Sequence, residues 1–235
     1  MIELTKVTKA FKNEEVLKET TIEFERGKIT GIVGRNGSGK TVLMKIICGL
    51  LKPTTGTVVV NGQRIGKDVD FPGDIGIIIE TPIFVPYQSA MTNLKNLAAI
   101  RGKIKDDRIR EVIRMVGLNP DDKKRVGKFS LGMRQRLGIA QAIMEDPSLL
   151  VLDEPMNGLD KDGVEDMRQL FKKLKEEGKT ILLCSHNAED IAVLCDEVYE
   201  MEKGEIKRVV SDQEIKKRSS FVGDGKRFAF QSPAE

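Results

Sequence analysis

The chain has 235 residues, 32% charged and 40% apolar, the composition of an ordinary globular protein with room for one substantial core. Its net charge of +3 is too small to argue for nucleic acid or an anionic membrane surface as a partner. The apolar runs are far short of a membrane span, and MIELTKVTKAF lacks the apolar centre of a secretory signal. Cys48, Cys184 and Cys195 show no metal-like spacing and read as reduced, mostly buried thiols of a cytosolic protein.

In chain order, Ile2–Val7, Thr20–Phe24 and Lys28–Val33 read as short strands. GRNGSGKT follows, and then a run with helical spacing in which Val42, Leu43, Ile46, Ile47 and Leu50 fall on one face. Thr57–Val60 is a strand closed by the Asn61-Gly62 turn, and Ile75–Ile79 suits a buried strand. Pro82 and Pro86 break the pattern before it turns helical from about Asn93 to Met144. Leu94, Leu97 and Ile100 form one stripe there. Ile109, Val112, Ile113 and Val116 form a second; Leu137, Ile139, Ala140, Ile143 and Met144 form a third. Strands return at Leu149–Leu152 and Thr180–Cys184, separated by a helix over about Val164–Glu177 that Gly178 is placed to end. A helix over about Ala188–Cys195 and strands at Val198–Met201 and Ile206–Val210 follow. This alternation predicts an α/β fold, a largely parallel sheet sandwiched by helices and interrupted by a helical insertion. The basic clusters Lys123-Lys124-Arg125 and Lys216-Lys217-Arg218 read as solvated faces, and the polar tail 219–235 carries no functional expectation.

The stretch Gly34, Arg35, Asn36, Gly37, Ser38, Gly39, Lys40 and Thr41 lies between a strand and a helix, the context in which G-x-x-x-x-G-K-[ST] binds a nucleoside triphosphate. Its glycines let successive N–H groups converge on phosphate oxygens, and the helix that follows adds its positive end. Lys40 can reach the β- and γ-phosphates, and the Thr41 hydroxyl can hold Mg²⁺. The apolar strand Leu149–Leu152 delivers Asp153 and Glu154 to the carboxyl edge of the sheet, where open α/β folds bind ligands. Asp153 suits Mg²⁺ and Glu154 an attacking water. In Phe129-Ser130-Leu131-Gly132-Met133, Ser130 is a good N-cap, and a helix end carrying Ser130 and Gly132 is a second anion site. His186 is the single histidine; at the end of its strand it reaches the same edge and could contact a γ-phosphate.

GRNGSGKT, FSLGM, LLVLDEP, Asn157-Gly158-Leu159-Asp160 and His186, in this order and at these separations, resemble the motif series of ATP-binding-cassette (ABC) ATPases over about residues 2–210. The resemblance implies a P-loop NTPase core with a mostly parallel sheet, an antiparallel β arm and an inserted helical subdomain at about 85–145, all in one domain spanning 1–218. It implies ATP and Mg²⁺ as ligands, with Val42 adjoining the phosphate loop, and a homodimer or paired cassette closing head to tail on two ATP molecules. Gly34–Thr41, Asp153 and Glu154 of one copy would then face Ser130 and Gly132 of the other, with Asp160 at the seam. Phe11 occupies the position of the aromatic that stacks on adenine. A separate membrane-spanning permease is the implied partner, with the chain cytoplasmic and peripheral on the inner face of the membrane.

Three positions depart from the common pattern. Glu80 replaces a glutamine that ends the strand Ile75–Ile79, Leu131 a glycine and Met133 a glutamine. An ionised glutamate only accepts hydrogen bonds and adds a charge, so Glu80 is a candidate Mg²⁺ ligand or a source of repulsion toward the γ-phosphate. IIIETP and FSLGMRQRLGIA resemble the branch of the family that exports bacitracin, lantibiotics and related peptides. An importer remains open on motifs alone. A cassette acting on ribosomes or DNA is disfavoured by a single P-loop and by the lack of sustained heptads between Thr41 and Ser130. A P-loop GTPase is disfavoured because no Asn-Lys-x-Asp motif occurs.

Overall fold

In the computed structural model, residues 1–12 and 14–210 are described. The cluster Lys216-Lys217-Arg218, the tail 219–235 and the domain limit at 218 lie outside them.

The described residues form two sheets. The smaller is antiparallel, in the order β2 (Glu14–Phe24), β1 (Ile2–Phe11), β4 (Thr55–Val60), β5 (Gln63–Arg64). The larger runs β10 (Glu205–Val210), β9 (Glu197–Glu202), β3 (Ile29–Val33), β8 (Thr180–Cys184), β7 (Leu149–Asp153), β6 (Ile75–Ile78). Four of its five pairings are parallel, and β10 returns antiparallel along β9 at the edge.

The central strands are apolar throughout because both faces of the large sheet are covered. Leu150, Leu152, Ile181 and Leu183 point into one core, packed by α2 (Ala90–Arg101), α3 (Asp106–Met115), α4 (Leu131–Ile143) and α5 (Lys161–Glu176). Leu149, Val151, Leu182 and Cys184 point into the other, which α1 (Lys40–Ile47) fills with Leu43, Met44, Ile46 and Ile47 against the antiparallel sheet. The period of two along each strand therefore assigns neighbouring residues to opposite cores. All three helices α2, α3 and α4 fall between β6 and β7 in the chain. α6 (Ala188–Leu194) packs on α5.

Several expectations need correction. β1 and β2 extend beyond Ile2–Val7 and Thr20–Phe24, because their polar outer ends pair with each other as a hairpin. α1 stops at Ile47, so Leu50 lies beyond the helix and is 48% exposed. Ile100 has the spacing of a core residue, yet it is 79% exposed near the end of α2; Ala90, Asn93, Leu94 and Ala98 are the buried positions. The stripes on α3 and α4 are buried as expected, as are the three thiols. The cluster Lys123-Lys124-Arg125 is exposed.

Candidate nucleotide site

The site is built where parallel strands end. The loop after β3 is held open by backbone that only glycine adopts readily: Gly34 has φ +152°, Gly37 +81° and Gly39 +110°. A Cβ on Gly34 would lie 2.2 Å from the Met201 carbonyl oxygen, so the loop is seated directly on β9. Gly39 begins α1 with no side-chain cap, which leaves the first N–H groups of the helix without side-chain acceptors. The Lys40 ammonium folds back onto the Gly34 and Arg35 carbonyls at 2.7 and 3.1 Å, and Ser38 Oγ is buried without a hydrogen-bond partner. This is a loop shaped around an anion that Lys40, Ser38 and the helix end can share.

Thr41 on α1 donates its hydroxyl hydrogen bond to Asp153 Oδ2 at 2.7 Å. A hydroxyl and a carboxylate meeting beside a phosphate-binding loop are donors of the kind Mg²⁺ takes, an ion bound through one or two carboxylates with phosphate and water completing its shell. Among the described residues no group of three or more His, Cys, Asp or Glu side chains converges as a metal cage. Glu80 does not join Thr41 and Asp153. Its carboxylate is paired with Lys45 at 2.6 Å, although it lines the same cavity.

Next to Asp153, Glu154 adopts a left-handed backbone with φ +50°, pinned by its N–H to the Cys184 carbonyl and by Gln135 Nε2 to its own carbonyl. A non-glycine residue held there costs on the order of 1–3 kcal/mol, which the surrounding hydrogen bonds must outweigh. Its carboxylate meets His186 Nδ1 at 2.8 Å. His186 follows β8 and is largely exposed at the mouth of the site. The side chains that can orient water and contact a phosphate are thus one pair, supplied by adjacent strands.

Most of these groups border an open cavity of about 470 Å³, large enough for a triphosphate, although Gly34, Arg35, Ser38 and His186 are not on its wall. Asn36, Gly37, Gly39, Lys40, Thr41, Val42, Glu80, Asp153 and Glu154 line it, as the sequence predicts. Val16, Thr81, Leu131, Gln135 and Asn157 line it too and were not expected to. Gln135 sits within the FSLGMRQR run and could have been suspected; nothing marks Val16, which depends on β2 crossing the loop. Phe11 is not on the cavity wall. It stands at the end of β1, 45% exposed, with the Lys9 ammonium 4.8 Å from its ring centre, so it is not a core aromatic.

Ser130, Gly132 and Asp160 meet elsewhere. They line a separate open depression of about 600 Å³ with Leu131, Arg136 and Gly158. Ser130 caps α4 by accepting from Met133 N at 3.2 Å, and Asp160 caps α5 by accepting from Gly163 N at 2.9 Å. Both capping residues are exposed. Leu131 packs on Gly158, whose φ of +77° and missing Cβ make the room.

A phosphate loop after β3, paired acids at the end of β7 and a histidine after β8 define a P-loop nucleoside triphosphatase. The sequence model of the family described as ABC transporter matches residues 17–157. An uncharacterized ABC transporter ATP-binding protein of Bacillus subtilis is 43% identical over 220 residues, covering 94% of this chain and 100% of its own. A bacitracin transport ATP-binding protein of Bacillus licheniformis is 40% identical, covering 93% of this chain and 72% of its own. Among solved structures, a dimeric ATP-binding cassette in a post-hydrolysis state, bound to ADP and Pi, matches with a TM-score of 0.80 at 25% identity, over 90% of this chain and 100% of that one. The chain belongs to the ABC transporter family and is its ATPase, the ATP-binding cassette. Among the described residues no helix is long and apolar enough to cross a membrane.

Proposed function

We propose that this ATPase powers a membrane exporter for antimicrobial peptides or similar amphiphilic compounds, from a position on the inner face of the membrane. The observation that carries the substrate class is the 40% identity to a bacitracin transport ATP-binding protein; a lantibiotic transport ATP-binding protein of Streptococcus pyogenes, 35% identical over 88% of this chain, supports it.

In this reading the Gly34–Thr41 loop holds the triphosphate, with Lys40 and Ser38 turned to it. Phe11 stacks on the adenine, since its ring face is partly exposed. Thr41 and Asp153 would hold Mg²⁺, which would supply charge neutralisation to the triphosphate. Glu154 orients a water and draws its proton, while His186 steadies the Glu154 carboxylate and reaches the γ-phosphate. Ser130, Gly132 and Asp160 are left facing solvent on one copy because they serve the nucleotide of a second. ATP closes the two copies head to tail, and hydrolysis reopens them. A separate membrane-spanning subunit converts that cycle into transport through contacts near Glu80 and the helical insertion.

Expression together with a membrane-spanning subunit that binds this chain should raise the bacitracin tolerance of a sensitive bacterium, and Lys40→Ala should remove the gain. Unchanged tolerance with both subunits present in the membrane would refute peptide export.

A further inference from the structure

We propose that Lys45 is a positioning residue for the site: it pairs with Glu80 so that a carboxylate on the cavity wall does not repel the incoming triphosphate. This rests on the nucleotide reading above. The ionisable side chains described on the cavity wall are Lys40 and three acids, Glu80, Asp153 and Glu154. A triphosphate is itself strongly anionic, so each uncompensated acid opposes it. Asp153 is hydrogen-bonded to Thr41, and Glu154 is set against His186. Glu80 is set against Lys45 at 2.6 Å.

The geometry makes the pairing specific. Thr41 and Lys45 are one turn apart on the same face of α1, so the helix that opens the phosphate loop presents a hydroxyl to one acid and an ammonium to another. Glu80 meets Lys45 because the chain leaves β6 in a left-handed turn, φ +63° at Glu80 itself. That backbone is unfavourable for a non-glycine residue. The two side chains are 33% and 65% exposed, and so open an ion pair returns little to stability. The arrangement therefore makes sense through what it does to the cavity. It lets glutamate stand just beyond this strand end with its charge balanced.

The test is a double-mutant cycle read by nucleotide binding in equilibrium dialysis, with ATP in excess EDTA and with ATP in excess Mg²⁺. Lys45→Met should weaken metal-free ATP binding about fivefold, the scale of one partly exposed charge, and MgATP binding less. Lys45→Arg should bind as the parent does. In the Glu80→Gln background, Lys45→Met should cost nothing. A loss of the same size in both backgrounds would mean that Lys45 acts on the nucleotide directly, and would overturn this inference while leaving the nucleotide site intact. A parent chain that binds ATP in neither condition would overturn the nucleotide reading and this inference with it. Thermal unfolding midpoints of all variants within a few degrees of the parent keep the comparison to binding.

Discussion

His186 Nδ1 lies 2.8 Å from Glu154 Oε2, although the two residues are 32 positions apart and come from different strand ends. With the ring nitrogen donating, the carboxylate is held at the mouth of the cavity with one oxygen still free to accept from water. Glu154→Gln keeps the shape and removes the base. Steady-state ATP turnover should fall about 10²–10⁴-fold while MgATP affinity stays within a few-fold of the parent. Parallel measurement of hydrolysis and binding checks both halves.

The phosphate loop leaves no room for a methyl group where it rests on β9. In Gly34→Ala the new Cβ must displace the Met201 carbonyl oxygen or be displaced by it, at a φ that alanine also disfavours. The expected cost is about 2 kcal/mol or more, seen as a lower urea midpoint, together with loss of ATP binding. A chain of parental stability that binds ATP normally would contradict the loop geometry.

Behind His186, Arg168 on α5 gives two hydrogen bonds to Asp190 Oδ1, at 3.0 and 2.6 Å, and both side chains are buried. Burial works against the Arg168 charge, but bonds to Glu189 and Asp190 outweigh it and raise its pKa. Asp190 also accepts from Ser185 Oγ, so the pair braces the turn that carries His186. Arg168→Met should destabilise by about 3–5 kcal/mol because it strands a buried carboxylate, whereas Arg168→Met with Asp190→Leu should recover most of that loss. Chemical denaturation of the two variants decides it.

Burial pushes the Cys48 thiol up to about 12, and raises Cys184 and Cys195 as well. Unfolded thiols ionise near pH 8.5, so between there and pH 12 the unfolded state has released protons that the folded state keeps. Stability is therefore intact below about pH 8.5 and falls as pH rises, by about 1.4 kcal/mol per pH unit for each thiol. Cys48→Ala should make the alkaline fall in unfolding free energy shallower, and a slope unchanged by it would show that Cys48 is not among the groups responsible.

Much of this was legible in the chain itself, for local reasons. GRNGSGKT is contiguous, so its glycines and the helix that follows report their own geometry; the β7 and β8 strands, buried on both faces, announce themselves as apolar runs. Ser130 and Asp160 cap helices as their residue types allow. What escaped depends on meetings between distant segments. Glu80 is marked by its departure from the common pattern, but nothing in the sequence says that Lys45 meets it, 35 positions away. Val16 reaches the cavity only because β2 crosses the phosphate loop. Ile100 misled for a different reason: helical spacing marks a face but not how far along the helix that face stays covered.

The head-to-tail dimer is tested most directly by measuring the mass of Glu154→Gln in solution by light scattering, with and without MgATP. A monomer without nucleotide that becomes a dimer with MgATP, and fails to do so when Ser130→Arg is added, is the predicted result. A mutant that binds MgATP yet stays a monomer, even with its membrane subunit attached, would contradict it.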